Sequence, residues 1–274
     1  MNKAKLLLLL VLSSSPTFAQ QVPRFELDVL WPQVPLGDNW LTGGLGGMCV
    51  DSRDHVYLLN RQNVVPDDLD GATMAPPVIE LDPAGHVVRG WGNPELLGGR
   101  LHDCHVDAQQ SLWIVAAATG HIQKWSSDGS ELLMQIGEKG TFDSSDGTRQ
   151  GRALNSDRAQ FFLPSAVDID KSNGDIYVAD GELPGGNTRI AVLNNEGEFL
   201  RQWPLDRAPG EEGLSELPHC IRLSNDGLVY VCDRRADRIQ VFNRQGSHQR
   251  NIDVGFTPLS STENRASGSR GTAV

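Results

Sequence analysis

Two histidines stand at the same place in a repeated pattern. Apolar segments of the chain close on Asp51, Asp107, Asp170 and Ser224, and the residue five before each is Gly46, His102, Ser165 and His219. An imidazole can carry a proton near neutral pH or ligate a metal. Three neutral imidazoles that leave one position open form a catalytic zinc site. Two arginines, Arg61 and Arg234, follow the second apolar segment of the first and last of these units. A guanidinium there can hold a carboxylate through two parallel hydrogen bonds and stabilise developing negative charge. The alternative role for both is an ion pair with a rim carboxylate such as Asp233.

The elements that must position these groups follow from the repetition. Each unit runs strand, tight turn, aromatic-rich strand, polar link, third strand, glycine turn, fourth strand. The second strands read His55-Val-Tyr-Leu-Leu, Leu112-Trp-Ile-Val, Ile176-Tyr-Val-Ala and Leu228-Val-Tyr-Val. Asn173-Gly174, Asp128-Gly129 and Asp226-Gly227 supply hairpin turns, because glycine takes positive φ without a Cβ clash. The closing residues fall 56, 63 and 54 residues apart. Without two inserts, 62–77 and 138–159, the unit approaches the roughly 40–50 residues of a four-stranded propeller blade. The expected fold is all-β, a propeller with four blades present. A sandwich does not explain four copies of one unit. Phe25 to Trp31 reads as one more strand, of the kind that closes a ring by removing an open edge. Alternate blades of a six-fold ring face one another across the axis, so His102 and His219, from blades two and four, are expected to converge.

The carrying residues Phe161-x-x-Pro164, Ile176-Tyr-Val-Ala-Asp-Gly181 and Asn187-x-Arg189-Ile190 resemble NHL repeats. So do Leu217-Pro-His219, Val229-Tyr-Val-Cys-Asp-Arg234 and Asp237-Arg-Ile239 in the last unit. The resemblance is to the six-bladed group that includes the peptidyl-α-hydroxyglycine α-amidating lyases, and it runs from about Gly43 to Val254. It implies six blades, of which this chain supplies about four, with truncation at the C-terminus expected. A self-closed four-bladed ring is the alternative. The resemblance also implies a zinc ion held by one histidine from each alternate blade, here His102 and His219, with the third beyond Val274. It implies that Arg61 and Arg234 lie near the substrate carboxylate and the reacting oxygen. The tyrosine that serves as base in the family is expected after Asp180-Gly181, where this chain has Glu182-Leu-Pro-Gly-Gly. With two histidines the zinc set is incomplete, so weak or no zinc binding by the chain is expected.

Composition bounds the function. The 274 residues carry 35 Asp+Glu against 24 Lys+Arg, a net charge of −11, which argues against a nucleic-acid partner. Residues 1–19 have the layout of a signal peptide, with Lys3 and Lys5, the apolar run Leu6 to Leu12 and a small-residue end at Ala19. That run is far shorter than the ~20 residues of a membrane span. The expected organisation is a signal peptide (1–19), propeller blades (20–256) and a polar segment (257–274), in an exported protein, periplasmic or secreted. Cys220 and Cys232 flank one hairpin, where export permits a disulfide but the geometry is demanding. Cys49 and Cys104 read as buried thiols. Trp91, Trp125 and Trp203 read as the ends of fourth strands, packed between blades. Two functions follow. The first is an exported scaffold that binds a protein, peptide or small molecule at the axis. The second is a zinc lyase cleaving a C–N bond, with arginine stabilising the oxyanion. A lactonase-type hydrolase with axial Ca²⁺, or a structural Ca²⁺, is the third reading. Calcium asks for several oxygen ligands, and this axis offers histidines.

Overall fold

A computed structural model of the chain describes residues 24–206 and 216–254. The expected signal peptide and the polar C-terminal segment lie outside the described residues. The chain divides into two units, Met1–Trp31 and Pro32–Val274. In the first, residues 24–31 form no strand, contrary to the expected closing strand. Asp28 is the local reason: its side chain accepts from the Leu30 amide at 2.9 Å and its carbonyl from Trp31 at 3.4 Å, which turns the backbone.

The second unit is all-β, with four four-stranded blades in a propeller arrangement. Strand β1 (Trp40–Leu41) leads into blade 1, which holds β2 (Leu45–Val50) and β3 (Val56–Asn60). After β4 (Thr73–Met74), which pairs in parallel with β1, blade 1 ends with β5 (Val78–Leu81) and β6 (Val87–Trp91). Blade 2 holds β7 (Leu101–Val106), β8 (Leu112–Ala116), β9 (His121–Trp125) and β10 (Leu132–Ile136). Blade 3 holds β11 (Pro164–Ile169), β12 (Ile176–Asp180), β13 (Arg189–Leu193) and β14 (Phe199–Pro204). Blade 4 holds β15 (Pro218–Leu223), β16 (Leu228–Asp233), β17 (Arg238–Asn243) and β18 (His248–Asp253). Within each blade the strands are antiparallel neighbours in chain order.

Second strands such as β8 and β12 are buried along their whole length. Both faces of these strands meet apolar surface, so the sequence runs apolar without alternation. The core lies between blades. Tyr57, Leu59 and Val78 of blade 1 pack with Leu112 and Ile114 of blade 2, and corresponding clusters join blades 2 and 3 and blades 3 and 4. At the outer end, a residue at or next to the end of one fourth strand covers the turn glycine of the next blade. A Cβ on Gly129 would meet the Trp91 ring at 2.2 Å, on Gly246 the Trp203 ring at 2.5 Å, and on Gly197 the Ile136 side chain at 3.1 Å. These glycines also have positive φ, of 72°, 87° and 83°. Ile136 thus takes the part expected of Trp125, which ends the third strand β9.

The residues that close the inner hairpins use their carboxylates twice. Asp51 Oδ1 accepts the amides of Arg53 and His55, and Asp107 Oδ1 those of Gln109 and Ser111. The second oxygen takes a cation: Arg53 at 2.6 Å, Lys124 at 2.8 Å, and Arg244 for Asp170. Asp180 and Asp233, at the ends of β12 and β16, pair with Arg189 at 3.0 Å and Arg238 at 3.1 Å. Arg189 also donates to the carbonyls of Ser156 and Gln160, so the insert 138–159 is pinned to blade 3.

All four cysteines are bridged. Cys220–Cys232 joins direct cross-strand partners of β15 and β16. Cys49–Cys104 joins β2 to β7 across the boundary of blades 1 and 2, correcting the expectation of two thiols. The bridge is invisible within either hairpin, because it needs two inner strands of neighbouring blades side by side, with Cα atoms 5.6 Å apart. The sequence separations are 55 and 12. On loop-closure entropy the first bridge contributes about 4 kcal/mol and the second about 3. Urea unfolding of the Cys49→Ser/Cys104→Ser and Cys220→Ser/Cys232→Ser proteins is expected to show the larger loss in the former. Arg189→Met strands the buried Asp180 carboxylate and is expected to cost about 3–5 kcal/mol; an unchanged urea midpoint would contradict this account of blade 3.

Candidate functional site at the channel mouth

Each inner strand carries one extra residue at the same place. In β7 the register passes from Leu101↔Ala116 to Asp103↔Val115, leaving His102 as the bulge residue. Gly46 in β2, Ser165 in β11 and His219 in β15 are left out of register in the same way. A bulge bends its strand and re-aims one side chain. Four bulges therefore send one residue per blade toward a shared mouth. At Gly46 a Cβ would lie 1.9 Å from the Leu101 carbonyl oxygen, so glycine allows blades 1 and 2 to approach there. A cavity of about 370 Å³ is lined by all four inner strands, including Gly46, His102, Ser165 and His219.

His102 and His219 converge. Their ring centroids are 4.9 Å apart and their planes nearly perpendicular, at 86°. His102 is buried, with Nδ1 2.7 Å from the carbonyl oxygen of Ser165, its counterpart in the next blade. Ser165 Oγ lies 2.6 Å from the Pro218 carbonyl, beside His219. The Ser165 carbonyl can only accept, so His102 Nδ1 carries a proton and its Nε2 is turned into the site. Burial, together with the charges of His102, Arg234 and Arg61 and against that of Glu182, lowers His219 to about 3. It is thus a neutral imidazole at ordinary pH.

A third group was not expected in this role. Glu182 Oε1 lies 3.2 Å from His102 Nε2 and 2.5 Å from Arg100 Nη2. Its other oxygen, Oε2, is buried without a hydrogen-bond partner. Burial opposes the charge of Glu182, but His102 and Arg100 outweigh it and hold the carboxyl at about 2. A carboxyl held that low is a weak proton acceptor at neutral pH. Ligand atoms of His102, Glu182 and His219 all lie within 4.8 Å of one another.

One backbone bond orders the surrounding arginines. The residue after each second strand donates its amide to the residue ahead of the inner strand. These bonds are Arg61 to Gly44 (3.0 Å), Ala117 to Arg100 (3.2 Å), Gly181 to Leu163 (3.0 Å) and Arg234 to Leu217 (3.1 Å). Arg61 and Arg234 are therefore equivalent residues of blades 1 and 4. Asp233 is taken by Arg238, and among the described residues neither Arg61 nor Arg234 forms an ion pair. Arg61 Nε donates to the Leu101 carbonyl at 3.3 Å, whereas Arg234 Nε is buried without a hydrogen-bond partner. Burial lowers the pKa of both, and the like charge of Arg100 adds to the effect, while Glu182 opposes it. Arg100 enters the mouth from the equivalent of Gly44, in a left-handed conformation with φ 52°. The sequence signal for Arg100 was its place two residues before His102. The signal for Glu182 was its place one residue past the equivalent of the two arginines.

The channel continues past the mouth. Arg222 pairs with Asp103 at 3.4 Å, and His105 with Asp168 at 3.0 Å. A second cluster, Asp51–His55–Glu80, also has metal-ligand spacing, but its charge is met by Arg53 and Arg89.

An NHL repeat model matches residues 217–242, the core of blade 4. The chain is similar to NHL repeat-containing protein 3 of Homo sapiens, with 28% identity over 229 residues, covering 80% of this chain and 57% of that protein. It is similar to peptidyl-glycine alpha-amidating monooxygenase B of Xenopus laevis, with 24% identity over 238 residues, covering 80% of this chain and 25% of that protein. Among solved structures, virginiamycin B lyase from Staphylococcus aureus aligns with 77% of this chain and 55% of its own, at 13% identity and a TM-score of 0.48. The chain thus spans little more than half the length of NHL repeat-containing protein 3. The family model thus matches one repeat, and the described residues hold four four-stranded blades in a propeller arrangement.

Blade 2 lacks the buried aspartate–arginine pair and places Ala116 opposite His121 in the same register. His121 is fully buried, and burial lowers it from 6.5 to about 4. The unfolded chain binds a proton there near pH 6.5 and the folded chain only near 4, so stability from this residue is full above 6.5 and falls as pH drops toward 4. Urea midpoints between pH 7 and 4 should fall less steeply in His121→Gln than in the parent, by up to about 1.4 kcal/mol per pH unit. Identical slopes would contradict a neutral buried His121.

Proposed function

We propose that this chain is an exported NHL-type propeller that binds a carboxylate-bearing peptide or small molecule in its channel mouth, with His102 and His219 turned toward a zinc ion. The observation that carries this reading is the convergence of the two imidazoles beside Arg61 and Arg234, neither of which is ion-paired among the described residues. A buried guanidinium with an unpartnered Nε leaves a hydrogen-bond demand that an anionic ligand would meet. The orphan Glu182 Oε2 and the neutral His219 suit a divalent cation. Two disulfides support an oxidising compartment, in keeping with a signal peptide cleaved after Ala19.

The chemistry supported is lyase-like, as the resemblance to the amidating lyases implies. His102 and His219 would hold a zinc ion at this place, which when bound would supply Lewis acidity toward a ligand oxygen. Arg61 and Arg234 bind and orient the ligand carboxylate and stabilise negative charge that develops beside it. Ser165 holds the His102 ring in the tautomer that presents Nε2. The bulges keep both imidazoles on a rigid frame, and burial of the mouth limits water. A second reading, recognition without turnover, is favoured by one observation: no tyrosine stands at 182–186, where the family places its base.

Metal analysis and calorimetry separate these. With two histidines in the set, zinc uptake by the mature chain is expected to be weak, and His102→Ala and His219→Ala to abolish it. Arg234→Met is expected to weaken binding of a peptide ending in α-hydroxyglycine by tenfold or more without changing zinc content. Release of glyoxylate would support the lyase reading, and binding without release the scaffold reading. Absence of zinc together with unchanged peptide affinity in Arg234→Met would overturn the proposal.

A further inference from the structure

We infer that Arg100 is a specificity-determining residue of the channel mouth, so that the ligand taken there carries two acidic groups: a terminal carboxylate at Arg61 and Arg234, and a second carboxylate at Arg100. The inference deepens the carboxylate reading above and rests on it. It does not depend on a metal.

Arg100 reaches the mouth by its own route. Arg61 and Arg234 follow the second strands of blades 1 and 4, whereas Arg100 precedes the inner strand of blade 2. Its side chain is 39% exposed, and among the described residues it donates through Nη2 alone, to Glu182 at 2.5 Å. Glu182 is itself buried, so this bond anchors the guanidinium at the rim and leaves Nε and Nη1 to be met. Arg61 lies alongside, because its Nε donates to the carbonyl of Leu101, the residue after Arg100. Burial lowers the pKa of Arg61 and Arg234, and the charges of Arg100 and Glu182 reach both.

These charges do not cancel. Three guanidinium groups face one carboxylate, so the rim keeps an excess of two positive charges in a chain whose net charge is −11. The neighbouring aspartates do not reduce it. Asp233 is committed to Arg238, Asp180 to Arg189 and Asp103 to Arg222. One ligand carboxylate leaves one positive charge unmet. A second acidic group meets it and accepts from the remaining donors of Arg100, in the paired geometry that guanidinium and carboxylate favour. Two acidic groups also steer the ligand to a mouth of opposite sign. The outer cluster of blade 1 is the contrasting case. There Arg53 and Arg89 are matched by Asp51 and Glu80, and no charge is left for a ligand. If Arg100 served only to hold Glu182, removing it would not change which ligand is preferred.

The test is calorimetry on the chelator-treated mature chain, with pairs of similar shape that differ by one charge. N-acetyl-Asp-Gly is compared with N-acetyl-Asn-Gly, and glutarate with glutaramate. The acidic member of at least one pair is expected to bind tenfold or more tighter at low salt, with the advantage shrinking as salt rises. The pair that shows it distinguishes a peptide from a small dicarboxylate. Arg100→Met is expected to bring the two members of that pair within about threefold of each other, with the neutral member's affinity changed by less than about threefold. Arg100→Lys, which keeps the charge and loses the planar fork, is expected to retain part of the preference. Circular dichroism melts report that each variant is folded. Arg234→Met is expected to weaken both members alike. Equal binding of both members by the parent chain overturns the inference and leaves the carboxylate reading standing. A preference that survives in Arg100→Met overturns the assignment to Arg100. If neither member of either pair binds, both readings fail together.

Discussion

The bulge in each inner strand is the constraint from which the site follows. One extra residue at the same register position turns Gly46, His102, Ser165 and His219 out of the ladder. Without it, the period-two alternation of a strand would place these residues on a blade face, packed against a neighbour. The bulges also link blades: His102 reaches the Ser165 carbonyl, and Ser165 reaches the Pro218 carbonyl. A local irregularity of the backbone thus becomes a hydrogen-bonded ring segment with its imidazoles held at fixed angles.

Around that frame, charge is handled differently in different blades. Blades 3 and 4 bury an aspartate with an arginine, which fixes hairpin ends and pins the insert 138–159. Blade 2 drops both charges together, using Ala116 and His121. Blade 1 uses Asn60, whose side chain accepts from Gly43 and donates to Ala75. Each solution leaves no lone buried charge, the arrangement that is costly in a protein interior. The mouth departs from this rule. Arg234 Nε and Glu182 Oε2 are both buried there without a hydrogen-bond partner.

Several features were legible in the residue order. The second strands, the turn glycines and the equivalence of His102 with His219 all follow from local rules of strand and turn. The convergence of the two histidines followed from counting positions back from Asp107 and Ser224. Other features depend on which blade lies beside which. Cys49 and Cys104 are 55 residues apart, and nothing in either hairpin marks them as partners. Glu182 read only as the residue standing where the family places its base, because its approach to His102 depends on two amides, those of Gly181 and Glu182, that both donate to the Leu163 carbonyl. Trp125 read as a fourth-strand residue because aromatic character marks packing between blades without saying which strand supplies it. The strand expected over Phe25 to Trp31 had the right composition, but Asp28 turns the backbone within the segment itself.

The sequence by itself determined the repeating β unit, its turns, its acidic balance and the placing of imidazole and guanidinium groups at equivalent positions. These are properties of short stretches, set by side-chain period, glycine φ and residue chemistry. Tertiary structure alone decided the Cys49–Cys104 bridge, the tautomer of His102, the partner of Asp233 and the bare oxygen of Glu182. Each of these depends on distances of a few ångströms between segments from different blades, and such distances are fixed by how blades stack and not by any one stretch of chain.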